Sequence, residues 1–295
     1  MTGKILVTGA SGHLGARILH HLLESHGVAA AGLVAGSRDP AKLGELAGKG
    51  VETRRIDFDD PASLTDGFSG IDLLLIVSTD ALDAQGTRLR QQLAAVEAAR
   101  QAGVGRIFYT SMPGADDSLI TFAPDHLGTE QAIKASGLAY TIFRNGWYME
   151  NLFMALPAAL AHGQWYSSAG QGRLAHIARD DIARAIAGGL ASPPAENITY
   201  TLTGDTARTT DEIAALVRAA TGKPLEVVHV DDAHLAKGME AAGVPAPYIP
   251  TFVSFDANTR EGKIAMVTDD ARTLSGATLT SLADFLKANT AALAG

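Results

Sequence analysis

Six short apolar runs, at 4–8, 30–36, 51–56, 71–77, 105–110 and 139–143, punctuate the first half of this chain. Between them lie stretches at 40–48, 61–68, 84–102 and 124–136 whose apolar positions suit a helix face. The first intervening stretch shows the spacing plainly, with Leu14, Ile18, Leu19, Leu22 and Leu23 on one side. Glycines at 27, 103 and 137 follow helical stretches and precede apolar runs, as helix C-caps do. A strand followed by a helix and another strand at this pitch pairs in parallel through right-handed crossovers. The pattern therefore predicts an α/β fold with a doubly wound parallel sheet, its strands buried on both faces.

The rhythm breaks after about residue 145. Residues 198–203 and 225–230 read as strands, 209–223 as a helix capped near Thr209 and closed by Gly222, and 279–293 as a helical tail. PAPYIP at 245–250 reads as a loop. The expected division is a nucleotide-binding domain over 1–145 and a smaller substrate lobe over 146–295, with 198–203 free to return to the main sheet.

TGASGHLG at 8–15 places Gly9, Gly12 and Gly15 at the first strand–helix turn. Gly9 permits the tight turn, Gly12 lets the backbone approach a pyrophosphate, and Gly15 lets the helix pack close to the sheet. The free N–H groups of the helix start then face the anion. A glycine triplet is weak by itself, but its position here makes the sheet of Rossmann type. At the end of the second strand an acid selects NAD and a base accommodates the extra phosphate of NADP. Ser37 and Arg38 stand there, with Asp39 only after them, so NADP(H) is favoured over NAD(H). The alternative is that Arg38 only caps a solvated turn and pairs with Asp39. Asp57 ends the third strand where a carboxylate can accept from an adenine amino group, and Asp60 suits the N-cap before Pro61.

The formal charge of −8, with no Lys/Arg run, argues against nucleic acid. There is no cysteine, so disulfides and thiolate chemistry are excluded. No zinc, P-loop or nucleophile-elbow motif occurs, and no metal is expected. No apolar run approaches the roughly 20 residues of a membrane span, and the N-terminal stretch lacks a signal-type apolar core. The expectation is a cytoplasmic enzyme with a small-molecule substrate. The helix at 84–102 offers a face for a homodimer, though nothing in the pattern demands one.

GASGHLG, SRDPAK, RIDFDDP and above all RNGWYMEN at 144–151 resemble the NmrA-like branch of the atypical short-chain dehydrogenase/reductases. Within it the chain is most similar to bacterial NADPH:quinone oxidoreductases and, less closely, to triphenylmethane reductases. The resemblance runs over most of the chain, and LVAGSRDP is a longer turn than in the quinone-reductase pattern. It implies that the loop from Gly9 through Ser11, Gly12, His13 and Leu14 to Gly15 holds the phosphates together with Arg38. It also implies that Val77, Ser78 and Thr79 lie along the nicotinamide ribose. Asn145 and Gly146 then stand at the nicotinamide, with Trp147 and Tyr148 as flat surface for a planar acceptor.

Ordinary members of the wider group use a tyrosine and a lysine four residues apart. Here the six tyrosines, at 109, 140, 148, 166, 200 and 248, are followed at that spacing by Pro113, Arg144, Leu152, Gly170, Gly204 and Phe252. HLGTE at 126–130 instead spaces His126 and Glu130 by four. An unactivated ketone needs a proton as hydride arrives, because an alkoxide is a poor product. A quinone gives an aromatic hydroquinone anion that can collect its proton from water, so positioning matters more than an acid. The expected activity is direct hydride transfer from NADPH to a quinone-like acceptor, without flavin or metal. Asn145 offers an amide donor; His126 either donates a proton, lines the pocket or bonds Glu130; Ser111 and Tyr109 can bond an acceptor oxygen. The rival is a non-catalytic NADP-binding sensor.

Overall fold

The apolar runs pair side by side as the alternation requires. The computed structural model describes residues 3–81 and 86–294. Strands β1 (Ile5–Val7), β2 (Leu33–Ser37), β3 (Glu52–Arg55), β4 (Leu73–Ile76), β5 (Arg106–Ser111), β6 (Ala139–Asn145) and β8 (Ile198–Leu202) form one sheet, ordered β3-β2-β1-β4-β5-β6-β8. Every pairing in it is parallel. The chain steps outward from β1 through β2 to β3, returns to β4 and steps outward the other way. The reversal at β1 and β4 opens a crevice at the strands' carboxyl ends, where ligands of such sheets bind.

Helices α1 (His13–Glu24) and α2 (Gly44–Gly48) join β1 to β2 and β2 to β3. Helices α3 (Pro61–Phe68), α4 (Thr87–Gln101) and α5 (Ala123–Ala135) make the later crossovers. Successive strand residues face opposite layers. In β5, Phe108 packs with Phe143 beneath α1, while Ile107 and Tyr109 join Val96, Ala99 and Ile133 on the other side. Asp60 caps α3, accepting from the N–H groups of Ala62 and Ser63 at 3.1 and 3.4 Å.

The smaller lobe is built from α6 (Leu156–His162), β7 (Gln164–Ser167), α8 (Thr210–Thr221), β9 (Glu226–His229), α9 (Asp232–Ala241), α10 (Ile249–Arg260), α12 (Leu282–Ala288) and α13 (Thr290–Ala294). Strands β7 and β9 pair in parallel, and Leu156, Leu160, Ile213, Val217, Leu282 and Leu286 form the lobe's core. A reciprocal cap fixes the start of α8: Thr209 Oγ1 accepts from the Glu212 N–H, and Glu212 accepts from the Thr209 N–H.

Two differences from the sequence reading have physical causes. The boundary after residue 145 does not separate the layers, because α7 (Arg179–Ala191) packs on α1 and α11 (Asp270–Ser275) packs on α7; β8 takes the place beside β6 that the reading left open to it. PAPYIP is not a simple loop: Ala246–Tyr248 is a 3₁₀ turn and Pro250 lies in the first turn of α10, where its missing N–H costs nothing. The expected helix from 84 begins at Thr87, residues 84 and 85 lying outside the described residues.

The approach of α11 to α7 depends on glycine. A Cβ at Gly188 would stand 2.0 Å from the Leu274 carbonyl oxygen. Gly188→Ala must push the helices apart, and we expect a loss of about 1–3 kcal/mol. The measurement is the urea midpoint at unchanged m-value. Gly44→Ala, whose Cβ would meet nothing within 4 Å, should leave the midpoint unchanged or raise it.

Candidate active site

The first strand–helix turn is built on close backbone approach. Gly9 has φ of 62°, open to glycine at little cost, and its carbonyl accepts from the Gly12 N–H at 2.9 Å. A Cβ at Gly15 would stand 2.4 Å from that same carbonyl oxygen. Gly12 is the N-cap of α1 and supplies no side-chain cap, and the first turn carries no acid. The orphan N–H groups and the positive end of the helix therefore face a cavity of about 330 Å³.

That cavity gathers most of the residues expected to hold a dinucleotide. Gly9, Ser11, Gly12, His13, Leu14 and Gly15 line it, as do Ser37, Arg38, Asp57, Val77, Ser78 and Thr79. Ser11 Oγ and Ser37 Oγ lie 2.9 Å apart, tying the loop to β2. Arg38 makes no ion pair with Asp39; Asp39 instead caps the next turn, accepting from the Ala41 N–H at 3.2 Å. Lys42 also lines the cavity, its ammonium 4.0 Å from the Asp39 carboxylate, so among the described residues Arg38 is left without an acid partner where β2 ends. Asp57 accepts from the Asp59 N–H at 3.1 Å and from Arg55 Nη2 at 3.2 Å.

Beyond β4 the floor is set by hydroxyls that the sequence reading missed. Thr8 Oγ1 accepts from the Val77 N–H at 2.9 Å, and Thr110 Oγ1 accepts from the Ser78 N–H at 2.8 Å. Thr79 Oγ1, Gln91 Oε1 and Asn145 Oδ1 are buried without a partner. Buried polar atoms are rarely left unpaired, so these atoms fit a polar ligand. Asn145 is not itself among the cavity's lining residues; its Nδ2 lies 3.5 Å from the Tyr148 hydroxyl.

Three expectations change at the end of β6. Gly146 serves sheet packing: its N–H donates to the Leu202 carbonyl at 2.7 Å, where a Cβ would also collide, and it lines neither this cavity nor the larger one in the smaller lobe. Trp147 and Tyr148 do not form one platform. Trp147 turns to Phe255, edge to face at 4.3 Å, on the wall of a second cavity of about 990 Å³. Tyr148 turns the other way, packing on the core beneath α1 with the Arg179 guanidinium 4.9 Å above its ring.

The remaining candidates lie below the pocket floor. Arg88, 7% exposed, reaches Ser78 Oγ at 3.3 Å and His126 Nε2 at 3.0 Å. An arginine only donates, so Nε2 is the acceptor and Nδ1 carries the proton. The order then runs one way: His126 Nδ1 donates to the Tyr109 hydroxyl at 2.8 Å, and Tyr109 to Gln92 Oε1 at 2.9 Å. Gln92 Nε2 donates to Thr129 Oγ1 at 3.1 Å, and Thr129 to the Asp125 carbonyl at 2.7 Å. Burial first, then Arg88, holds the His126 imidazole well below its ordinary value. His126 is thus neutral, with both nitrogens engaged, and neither donates a proton nor bonds Glu130. Tyr109 is fully buried and lines neither of the two cavities. Ser111 donates to Glu130 Oε1 at 2.7 Å, and Arg144 grips the same carboxylate through Nε and Nη2 at 2.9 and 2.8 Å. Burial raises the Glu130 carboxyl, but the bonds from Arg144 and Ser111 outweigh it and leave it below its ordinary value. Glu130 and Ser111 form a structural pair with Arg144.

A parallel sheet with a glycine-walled crevice at its reversal point and a basic rim after β2 defines a dinucleotide-binding protein. Residues 1–285 match the NmrA-like family, and the chain belongs to it. It is 35% identical to quinone oxidoreductase 2 of Escherichia coli K12 over 271 residues, 92% of each chain. It is also similar to the structure of the NADPH-dependent quinone oxidoreductase of Escherichia coli complexed with NADPH, with TM-score 0.91 and 34% identity over 96% of this chain and 99% of that one. Triphenylmethane reductase of Citrobacter sp., complexed with NADP(H), gives TM-score 0.90 and 33% identity over 97% of this chain and all of the other. Among the described residues no cluster suits a metal ion, and no helix is long and apolar enough to cross a membrane.

Two outcomes follow from the buried network and the buried histidines. Tyr109→Phe strands Gln92 Oε1 and the His126 Nδ1–H, so stability should fall by about 1–3 kcal/mol while NADPH affinity stays within about twofold. A collapse of turnover at unchanged stability would instead put Tyr109 at the acceptor. The second outcome concerns acid. Burial holds His176 down at about 3, and His126 is likewise lowered, so both stay neutral when folded. Unfolded, they protonate below about 6.5, so the unfolded state takes up more protons as pH falls. Stability is full above that value and declines on acidification. The urea midpoint should fall between about pH 7 and 5, and His176→Gln should flatten the decline.

Proposed function

We propose that this protein is an NADPH-dependent oxidoreductase that passes hydride directly to a quinone or similar planar, electron-poor acceptor, with no flavin and no metal. The observation that carries the reading is a polar cavity at the sheet's carboxyl edge together with a second cavity in the smaller lobe that begins just past the end of β6. A polar cavity with Arg38 on its wall suits the dinucleotide, and an aromatic cavity begins at Trp147, two residues after Asn145. Arg38, with Lys42 beside it, presents a guanidinium for the 2′-phosphate that distinguishes NADPH from NADH. The loop amides of Gly12 to Gly15 suit the pyrophosphate. Thr79 and Asn145 offer unpartnered buried oxygens, and Asn145 can turn its amide to the carboxamide or to the acceptor's carbonyl oxygen. When bound, NADPH supplies the hydride. The acceptor leaves as an aromatic hydroquinone anion and takes its proton from water, so the neutral, locked His126 is no obstacle.

The relatives' activities toward quinones and dyes agree with this acceptor class. A sensor that only binds NADP(H) has no use for a second, larger aromatic cavity. Mixing the protein with NADPH and a small naphthoquinone should give saturable loss of the reduced-nicotinamide absorbance. Arg38→Ala should raise the KM for NADPH roughly ten- to a hundredfold and leave that for NADH nearly unchanged, as loss of a charged hydrogen bond predicts. Asn145→Ala should lower kcat. Tight NADPH binding by calorimetry without any turnover would overturn the reading in favour of the sensor.

A further inference from the structure

The second cavity is larger than a bare quinone ring needs. Its volume of about 990 Å³ is three times that of the dinucleotide cavity and lies at the top of the range for drug-sized ligands, about 300–1,000 Å³. It starts at Trp147, next to the end of β6, and extends into the smaller lobe between α6, β7, α9 and α10. Its interior wall is apolar: Leu152, Ile213, Leu235 and Phe255 contribute. Asp256 is on the wall, but its carboxylate holds α10 to β7, accepting from Ser167 Oγ at 2.8 Å and the Ser168 N–H at 2.7 Å. Arg208 and His176 also border the space, and burial keeps the His176 imidazole uncharged.

The far end opens to solvent. Ala155 and Ala158 form one rim and Gly238 and Ala242 the other, all small and exposed. Among the described residues six large apolar side chains are exposed, and two of them, Met154 and Tyr166, flank this opening. An apolar channel with an aromatic inner end and a small-residue mouth suits a ligand that enters ring first and trails a chain.

We propose that the cavity between α6, β7, α9 and α10 holds an extended apolar arm of the acceptor, so that the preferred substrates are quinone-like rings bearing an alkyl or isoprenyl chain. The inference rests on the reductase reading for the identity of the ring, but the cavity's occupancy can be read without turnover. Both tryptophans of the chain, Trp147 and Trp165, line it, so intrinsic fluorescence reports its filling.

The experiment has two arms on the full chain. In the first, 2-alkyl-1,4-benzoquinones from methyl to decyl are compared with NADPH as donor. The value of kcat/KM should rise roughly two- to fourfold per methylene until the cavity is filled, because each buried methylene is worth about 0.8 kcal/mol. In the second, alkyl 4-hydroxybenzoates of the same chain lengths, kept below their aggregation limit, are titrated without nucleotide. Tryptophan quenching should tighten with chain length in the same ratio. Gly238→Leu places a side chain where a Cβ would meet nothing within 4 Å, and Ala158→Phe enlarges a residue that lines the opposite rim. In either variant, at wild-type melting temperature, both chain-length slopes should flatten; the slope is the readout, not the absolute rate. Turnover of the methyl compound with no chain-length dependence in either arm would overturn this inference and leave the reductase reading standing. Chain-length-dependent quenching without turnover of any quinone would keep the apolar channel and overturn the reductase reading.

Discussion

Parallel pairing is the constraint from which the rest of this molecule follows. A parallel strand cannot turn back on itself, so each must be followed by a crossover that covers a face of the sheet. Seven strands joined this way end on one edge, and the reversal between β1 and β4 leaves a gap there that no crossover fills. The glycine loop, the basic rim after β2, the hydroxyls of Thr8 and Thr110, and Asn145 all reach that edge because their strands end there.

The chemistry of the site is shaped by what has been closed off. His126 and Tyr109 are groups that carry protons in many reductases, yet here each hydrogen bond in their chain is used, from Arg88 to the Asp125 carbonyl. A chain with one donor direction polarises along its length and resists rearrangement. It ends on Ser78 Oγ through Arg88, so the network steadies the cavity floor instead of serving as a proton source. Glu130 is likewise consumed by Arg144 and Ser111. A site without an available acid suits acceptors that remain stable as anions, which is the property that sets quinones apart from ketones.

Much of the fold was legible because its signals are local. Apolar runs, helical spacing and capping residues such as Asp60, Thr209 and Gly222 act within a few positions, and they mark every strand but β7 and the helices of the first half to within a few residues. Helix α7 was harder: its RDDIARAIAGGLA sequence is buried on most sides, and its polar face is only the pair Asp180 and Arg184, one turn apart. The return of β8 to the main sheet was only an open option, since a strand's sequence does not say which edge it joins. Lys42 stood within a recognised motif, but nothing local says that its side chain borders the same cavity as Arg38.

The sequence by itself determined the parallel sheet, the phosphate loop, the base at the end of β2 and the absence of a tyrosine–lysine pair. Each depends on residue type at short spacing. The tertiary structure alone decided which polar side chains stay available. His126 meets Arg88 across 38 positions and Trp147 meets Phe255 across more than a hundred. Tyr148, one residue on, faces the opposite core because successive side chains of an extended segment point apart. Such partners are set by packing between distant segments, and no window of sequence contains both.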